Sequence, residues 1–379
     1  MTRRILYIHG IDRIGGAERD LLTMLNALNP AEWEPHVACP SGGPLHGILS
    51  KAGISLHSLS LSPWRKWFSP FVRWLGVHRL RTLLKQLQPA LIHVNDIWWV
   101  PHTIGAVSHV FASRIPIVAH VRQEIEPEKI SRYCLNQVGA VISISTQVEK
   151  ALIAGGVNPR LVRTIYSGLD LSKVNDRDGD RKTICRKLGL PSDVVLLGTV
   201  ANLFPRKGYD VMLRALPDII KTEPSTHYVI IGTGEQEYER TLRALSKELG
   251  IARHVHFVGF QDAVSPWLAA LDLYVHPARM EGFGIAVVEA MAVGKAVVAT
   301  NIGGLPEVVE HEWTGLLVAS DNPEALSVAV ASLLRDKILR EEMGKRGAKL
   351  VRERFDLKVS IAAIEQVYRH ILAAGQERK

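Results

Sequence analysis

Short apolar runs separated by stretches of helical periodicity recur along the whole chain, in two sets with a polar interruption between them. The first set is Ile5–Ile8, Val37–Cys39, Leu91–Val94, Ile117–Val121 and Val141–Ile144. The second is Val194–Leu197, Tyr228–Ile231, Val255–Val258, Leu273–Val275 and Ala296–Ala299. Continuous runs of this length predict strands buried on both faces, as in parallel sheets covered by helices. The expected fold class is α/β, with two doubly wound Rossmann-like domains facing across a cleft and ligands at the carboxyl ends of the strands.

The interruption, Lys173 to Arg181, places the boundary near 170–180: residues 1–172 form one domain and 173–356 the other. A final helix from about Leu357, within 357–379, is expected to cross back over the first domain. At 379 residues the chain is long enough for two full cores. The acidic run Asp176 to Asp180 invites a calcium-loop reading, but Gly179 is misplaced for an EF-hand and Lys187 stands where its closing glutamate belongs. We read a solvated linker and expect no metal.

Glycines follow several of the predicted strands. Gly10 and Gly15 have the spacing that opens a phosphate loop, yet Gly16 and Ala17 replace its Lys and Ser/Thr, which argues against an NTPase. The GxGxxG dinucleotide fingerprint is missing too. Gly15 and Gly16 therefore mark either a close ligand approach at a helix N-terminus or a purely structural turn. In the second half, Asn202, Arg206 and Lys207 follow a strand, where the two cations either neutralise a diphosphate or simply face solvent.

In His276 to Glu289, HPARMEGFGIAVVE, Glu281 sits on a glycine-broken loop and Glu289 about one turn inside a short helix that begins at Ile285. The helix end favours phosphate, Phe283-Gly284-Ile285 bring backbone close, and the carboxylates can accept bonds from sugar hydroxyls. A turn carrying two solvated glutamates has the same spacing. GxSxG and HExxH motifs are missing, so serine and zinc hydrolases have no visible machinery. Cys39, Cys134 and Cys185 are scattered, without a CxxC pair, and read as free thiols.

The formal net charge of +8 is concentrated in one region. Between Glu34 and Asp96 there is no acidic residue, while Lys51, Arg65, Lys66, Arg73, Arg79, Arg81 and Lys85 contribute seven positive charges. From His78 to Leu87 the pattern is that of a core-facing helix with a basic outer side. Before it, Trp64, Arg65, Lys66, Trp67, Phe68, Phe71, Arg73 and Trp74 interleave rings and cations. Two readings compete: an anionic membrane interface, or a partly ordered loop folding its aromatics onto the first domain. No nucleic-acid module accompanies the segment, so nucleic acid is not expected as a partner. No run is long enough to span a membrane, and the N-terminal apolar run is too short for a signal peptide, so the expected location is cytoplasmic or peripheral on the inner membrane face.

Taken in order, Gly15-Gly16-Ala17-Glu18, Tyr166-Ser167-Gly168-Leu169-Asp170, Arg206-Lys207-Gly208, Gly232-Thr233-Gly234, Val258-Gly259, Glu281 to Glu289 and Gly303-Gly304-Leu305-Pro306-Glu307 resemble the retaining glycosyltransferases of family 4, which have the GT-B fold. The resemblance covers nearly the whole chain. It implies a nucleoside diphosphate sugar (UDP- or GDP-linked) as donor substrate, no cofactor or essential metal, and a saccharide or lipid-linked acceptor. It puts Glu281 on the sugar hydroxyls, Glu289 on the ribose, the backbone at Phe283 to Ile285 on phosphates and sugar, and Gly259 to Gln261 against the base. Lys207 matches the family's basic pair, whereas the usual arginine is Asn202 here, with Arg206 nearby as a substitute. The family's sugar-positioning histidine falls on Arg122, with His120 two residues earlier on the same strand face. The competing classes are an epimerase-like GT-B enzyme and a two-domain sugar or nucleotide binder without turnover.

Overall fold

The computed structural model describes residues 2–12, 14–62, 64, 70–108, 115–123, 125–174 and 181–376. Asp176 to Asp180 lie outside them, as do Arg65, Lys66, Trp67 and Phe68. Chain contacts divide the protein into two units, Met1–Gly168 with Leu357–Lys379, and Leu169–Asp356. The units part between Gly168 and Leu169, upstream of the 172/173 boundary read from composition. Leu169 donates its N–H to the Phe355 carbonyl at 2.8 Å, so the chain already pairs with the second unit's own last segment at that point.

Among the described residues, the first unit holds a seven-stranded parallel sheet in the order β3-β2-β1-β4-β5-β6-β7. The strands are β1 Arg3–Ile8, β2 Trp33–Cys39, β3 Ser55–Ser58, β4 Leu91–Val94, β5 Ile117–Val121, β6 Ala140–Ser143 and β7 Val162–Thr164. The second unit has six parallel strands in the order β10-β9-β8-β11-β12-β13. These are β8 Val195–Val200, β9 Thr226–Ile231, β10 Val255–Gly259, β11 Leu273–His276, β12 Val297–Thr300 and β13 Gly315–Val318. The strand order turns back on itself between β1 and β4 and between β8 and β11. At such a point the connecting helices leave to opposite faces, opening a crevice at the carboxyl ends of the strands.

The cores follow from strand composition. β4 and β5 are buried along their whole length, as both-faced strands must be. The Leu357–Gln376 helix belongs to the first unit, where Ile361, Ile364, Tyr368 and Ile371 join Ile5, Tyr7 and Val118 in one cluster. The helix expected from His78 begins earlier, at Pro70, and runs to Leu87. Leu80, Leu84 and Leu87 of that helix are buried. Among the described helices, none is long and apolar enough to cross a membrane.

Candidate functional site

The loops leaving β8 and β11, the two strands at the second unit's crevice, carry most of the residues singled out in its sequence. Lys207, in a short 3-10 turn after β8, points its Nζ to Glu281 Oε2 at 2.6 Å. The same oxygen lies 2.9 Å from His276 Nε2 at the end of β11, and His276 Nδ1 lies 3.2 Å from the Tyr274 hydroxyl. Burial alone would raise the Glu281 carboxyl, but the Lys207 charge and the His276 hydrogen bond overcome it and hold the group well below its usual range. His276 moves the other way: burial outweighs the Glu281 carboxylate, lowering the ring below its ordinary value. The result is a charged Lys–Glu pair braced by a largely neutral imidazole.

Glycines allow the loops to meet. Gly208 has φ +68°, and a Cβ there would lie 1.8 Å from the Pro277 carbonyl oxygen, so the Lys207 turn rests directly on the strand leading to Glu281. Gly303 has φ +52°, and a Cβ would lie 1.8 Å from the Glu281 carbonyl oxygen. The Gly303-Gly304 motif is thus a seat for the Glu281 loop. Arg279 clamps that loop from the other side: its Nη1 and Nη2 reach Asp210 at 2.8 and 2.7 Å, and its Nε reaches Asp321 at 2.6 Å.

The helix Ile285–Ala292 starts at Gly284, which has φ +98° and offers no side-chain cap. Its N-terminus therefore remains available in character for an anion. Phe283 is buried edge-on against Phe355 at 5.4 Å, which fixes the backbone just before the helix. Ile285 and Glu289 are half-buried on that helix. The Tyr274 hydroxyl feels the charges of both Glu289 and Glu281, placing all three in one locality. Arg206 and Lys207, adjacent in sequence, diverge: Lys207 is buried on Glu281, while Arg206 is exposed with its guanidinium 5.7 Å from the Phe204 ring centre. Asn202 is exposed. Gly259, at φ +72°, accepts from Gly232 N at 2.9 Å, and Gln261 folds its amide between Val258 O and Trp267 Nε1. An open hollow of about 470 Å³ adjoins this turn, lined by Lys187, His256, Phe257, Val258, Gln261 and Trp267 among others.

In the first unit, Gly15 caps the Gly16–Ala27 helix, and its N–H is taken by Glu18 Oε2 at 2.9 Å, while Glu18 Oε1 meets His9 Nε2 at 2.9 Å. The Gly15 amide, read from the sequence as either a close ligand approach or a structural turn, serves the helix's own glutamate. His120, on β5, and Arg122, just beyond it, are brought together, with Arg122 Nη2 3.2 Å from His120 Nδ1. Arg122 also donates from Nε and Nη2 to Asn95 Oδ1, at 3.1 and 2.9 Å, and pairs with Asp20. Its side chain is only 7% exposed. Sequence reasoning missed His276, Tyr274, Arg279, Asp20 and Asn95. Only topology unites them, although the period-two placement of Tyr274 and His276 on one strand face was a usable signal.

The described part of the aromatic–basic segment divides. Trp64 packs edge-on against His102 at 5.0 Å with the Arg73 guanidinium 4.3 Å from its ring centre. Phe71 and Trp74 stand 68% and 58% exposed, stacked with each other at 5.9 Å, and Trp74 stacks on His78 at 5.5 Å. Trp64 thus follows the folded-loop expectation, and the two helical rings do not.

Comparison with known proteins gives a consistent result. Residues 14–173 match the family described as Glycosyltransferase Family 4, and residues 180–350 match Glycosyl transferases group 1. The chain is 34% identical over 323 residues to D-inositol 3-phosphate glycosyltransferase 2 of Catenulispora acidiphila, covering 80% of this chain and 68% of that protein. It is 33% identical to a GDP-mannose-dependent monoacylated alpha-(1-6)-phosphatidylinositol monomannoside mannosyltransferase of Corynebacterium glutamicum, covering 57% of this chain and only 59% of that relative's length. The crystal structure of Anabaena Alr3699/HepE in complex with UDP and glucose superposes with a TM-score of 0.85 at 23% identity, covering 97% of this chain and 99% of that one. This likeness identifies the fold as GT-B.

Proposed function

The chain belongs to glycosyltransferase family 4, and on that premise we propose that it transfers a hexose from a UDP- or GDP-linked sugar to a saccharide or lipid-linked acceptor, with retained anomeric configuration and without an essential metal. The product belongs to cell-surface polysaccharide, lipopolysaccharide or glycolipid synthesis. One observation carries the reading: a buried Lys207–Glu281 pair beside an uncapped helix N-terminus, at the strand ends where α/β folds bind ligands.

In the proposed reaction the diphosphate lies along the Gly284–Ile285 backbone, with Lys207 and the more exposed Arg206 opposing the charge that develops as it leaves. Glu281 accepts from the hydroxyls of the sugar and Glu289 from the ribose. The turn from Gly259 to Gln261 receives the base largely through backbone. The leaving diphosphate takes the proton of the acceptor hydroxyl on the face from which it departs, which accounts for retention. A lipid-linked acceptor presented at the inner membrane face is supported by the exposed Phe71 and Trp74 in a region without acidic residues. The Corynebacterium relative's name likewise specifies a lipid acceptor.

The test is incubation with a panel of UDP- and GDP-sugars, with and without membrane extract, following released nucleoside diphosphate and the anomeric configuration of the product. Turnover with retention, unaffected by a chelator, is expected. Binding of nucleotide sugar with neither transfer nor hydrolysis under any condition would sink the transferase reading.

A further inference from the structure

A chain of hydrogen bonds crosses the first unit's core from β1 to β5 and ends on a donor that has no acceptor among the described residues. Tyr7 and His93 are register partners on β1 and β4. His120 lies two positions beyond Val118, the β5 partner of His93, so all three rings face the same side, where the Leu357–Gln376 helix supplies Tyr368. The Tyr7 hydroxyl is 3.0 Å from that of Tyr368, Tyr368 is 2.7 Å from His93 Nδ1, and His93 Nε2 is 3.3 Å from His120 Nδ1. None of the four residues is more than 3% exposed.

Tyrosine and neutral histidine each donate and accept, so this chain alone runs equally well in either direction. Arg122 breaks the symmetry. Its Nη2 lies 3.2 Å from His120 Nδ1, and a guanidinium can only donate. His120 Nδ1 must therefore accept, and its single lone pair is shared between Arg122 and His93: with both bonds made, His93 Nε2 donates, Tyr368 donates to His93 and Tyr7 donates to Tyr368. Burial pushes the His120 ring down to about 3, so it is neutral at ordinary pH and its one proton sits on Nε2. Nε2 is buried without a hydrogen-bond partner among the described residues. The His120 side chain is among those lining a void of about 10 Å³, with Asp20, Tyr166, Ser167, Gly168 and Ser360 among the others. A space of that size holds roughly one water molecule and no sugar ring.

We propose that the void is a binding site for one ordered water, which accepts from His120 Nε2–H and ties β5 to the Tyr166–Gly168 segment that follows β7 and to the Leu357–Gln376 helix. Arg122 is the positioning residue that sets the direction of the whole chain. Its guanidinium is committed to Asp20, Asn95 and His120, so its role in this network is exerted through the tautomer of His120. The inference concerns the first unit alone and holds whether or not the transferase reading does.

The test is histidine-¹⁵N NMR on the full chain together with a high-resolution crystal structure. In the wild type, His120 is expected as the pure Nε2–H tautomer, with one water in the void. R122K, which still only donates, should keep that tautomer. R122M should admit the reversed chain, with a substantial Nδ1–H population at His120. Because R122M strands the buried Asp20, the D20N/R122M pair provides the same reading in a variant without that charge. An Nδ1–H tautomer in the wild type, a dry void, or an unchanged pure Nε2–H signal in both arginine-free variants would each overturn the proposal.

Discussion

Lys207 Nζ and Glu281 Oε2 lie 2.6 Å apart, with side chains only 10% and 14% exposed, so each is the other's main compensation for leaving water. Removing one partner strands a buried charge, at a cost of about 3–5 kcal/mol. K207M and E281Q are each expected to lower the urea midpoint sharply, while the K207M/E281Q double variant recovers much of it. Nucleotide-sugar turnover should stay lost in all three. Recovery of turnover along with stability in the double variant would remove this pair from the chemistry.

The pair also sets an acid limit. Glu281 titrates below its usual value of 4.5 in the native protein. Its contribution is therefore complete above the unfolded value and is lost as the pH falls through it towards the native one. The stability gap between wild type and the double variant, from urea melts at pH 7 and at about pH 3.5, should narrow at the lower pH.

Two glycines with left-handed φ should respond differently to a methyl group. Gly303 would drive its Cβ to 1.8 Å from the Glu281 carbonyl, whereas Gly189, at φ +70°, has nothing within 4 Å. G189A should cost about 1 kcal/mol in a thermal melt, the strain of the conformation alone. G303A should cost more and also depress turnover, because the Glu281 loop must shift.

His102 is fully buried, both its ring nitrogens lack hydrogen-bond partners among the described residues, and burial, with the nearby Arg73 charge, pushes it down to about 4. An unfolded chain protonates this ring near its usual 6.5, so the native state loses stability as the pH falls from there towards about 4. H102L removes both the unpaired polar atoms and this titration. It is expected to gain about 1 kcal/mol at pH 7 and more at pH 5, measured by chemical denaturation.

If Phe71 and Trp74 enter a bilayer, F71S/W74S should weaken binding to vesicles rich in anionic phospholipid by about tenfold or more. Binding by the wild type should also fall as salt rises, since the basic side of the same helix supplies the attraction. Equal sedimentation of wild type and variant with such vesicles would count against a membrane role for these rings.

The interior strands were legible because burial on both faces forces continuous apolar runs, as in Ile117–Val121. Of the four described edge strands, β10 was read from its Val255–Val258 run, while β3, β7 and β13 were not, because an edge strand has one neighbour and need not be apolar throughout. Ser55–Ser58 carries a single leucine, and its ends are exposed. The positions of Glu281 and Lys207 were readable from the family's motif order, but their contact was not, since it depends on Gly208 and Gly303 letting two loops touch. Arg122 was picked out because the family's sugar-positioning histidine falls on it, yet its partners Asp20 and Asn95 lie on other elements that no local pattern connects to it. The helix start at Pro70 was missed because the aromatic–basic composition before His78 hides its period.

The Leu357–Gln376 helix has a consequence for how the protein is made. Tyr368 and its neighbours complete a cluster whose other members include Ile5 and Tyr7. On a ribosome, the second unit's 169–356 segment has fully emerged while the first unit still lacks a wall. The unit synthesised first is therefore the last to close, and until the final helix arrives its sheet carries an open apolar face that the cell must keep from aggregating.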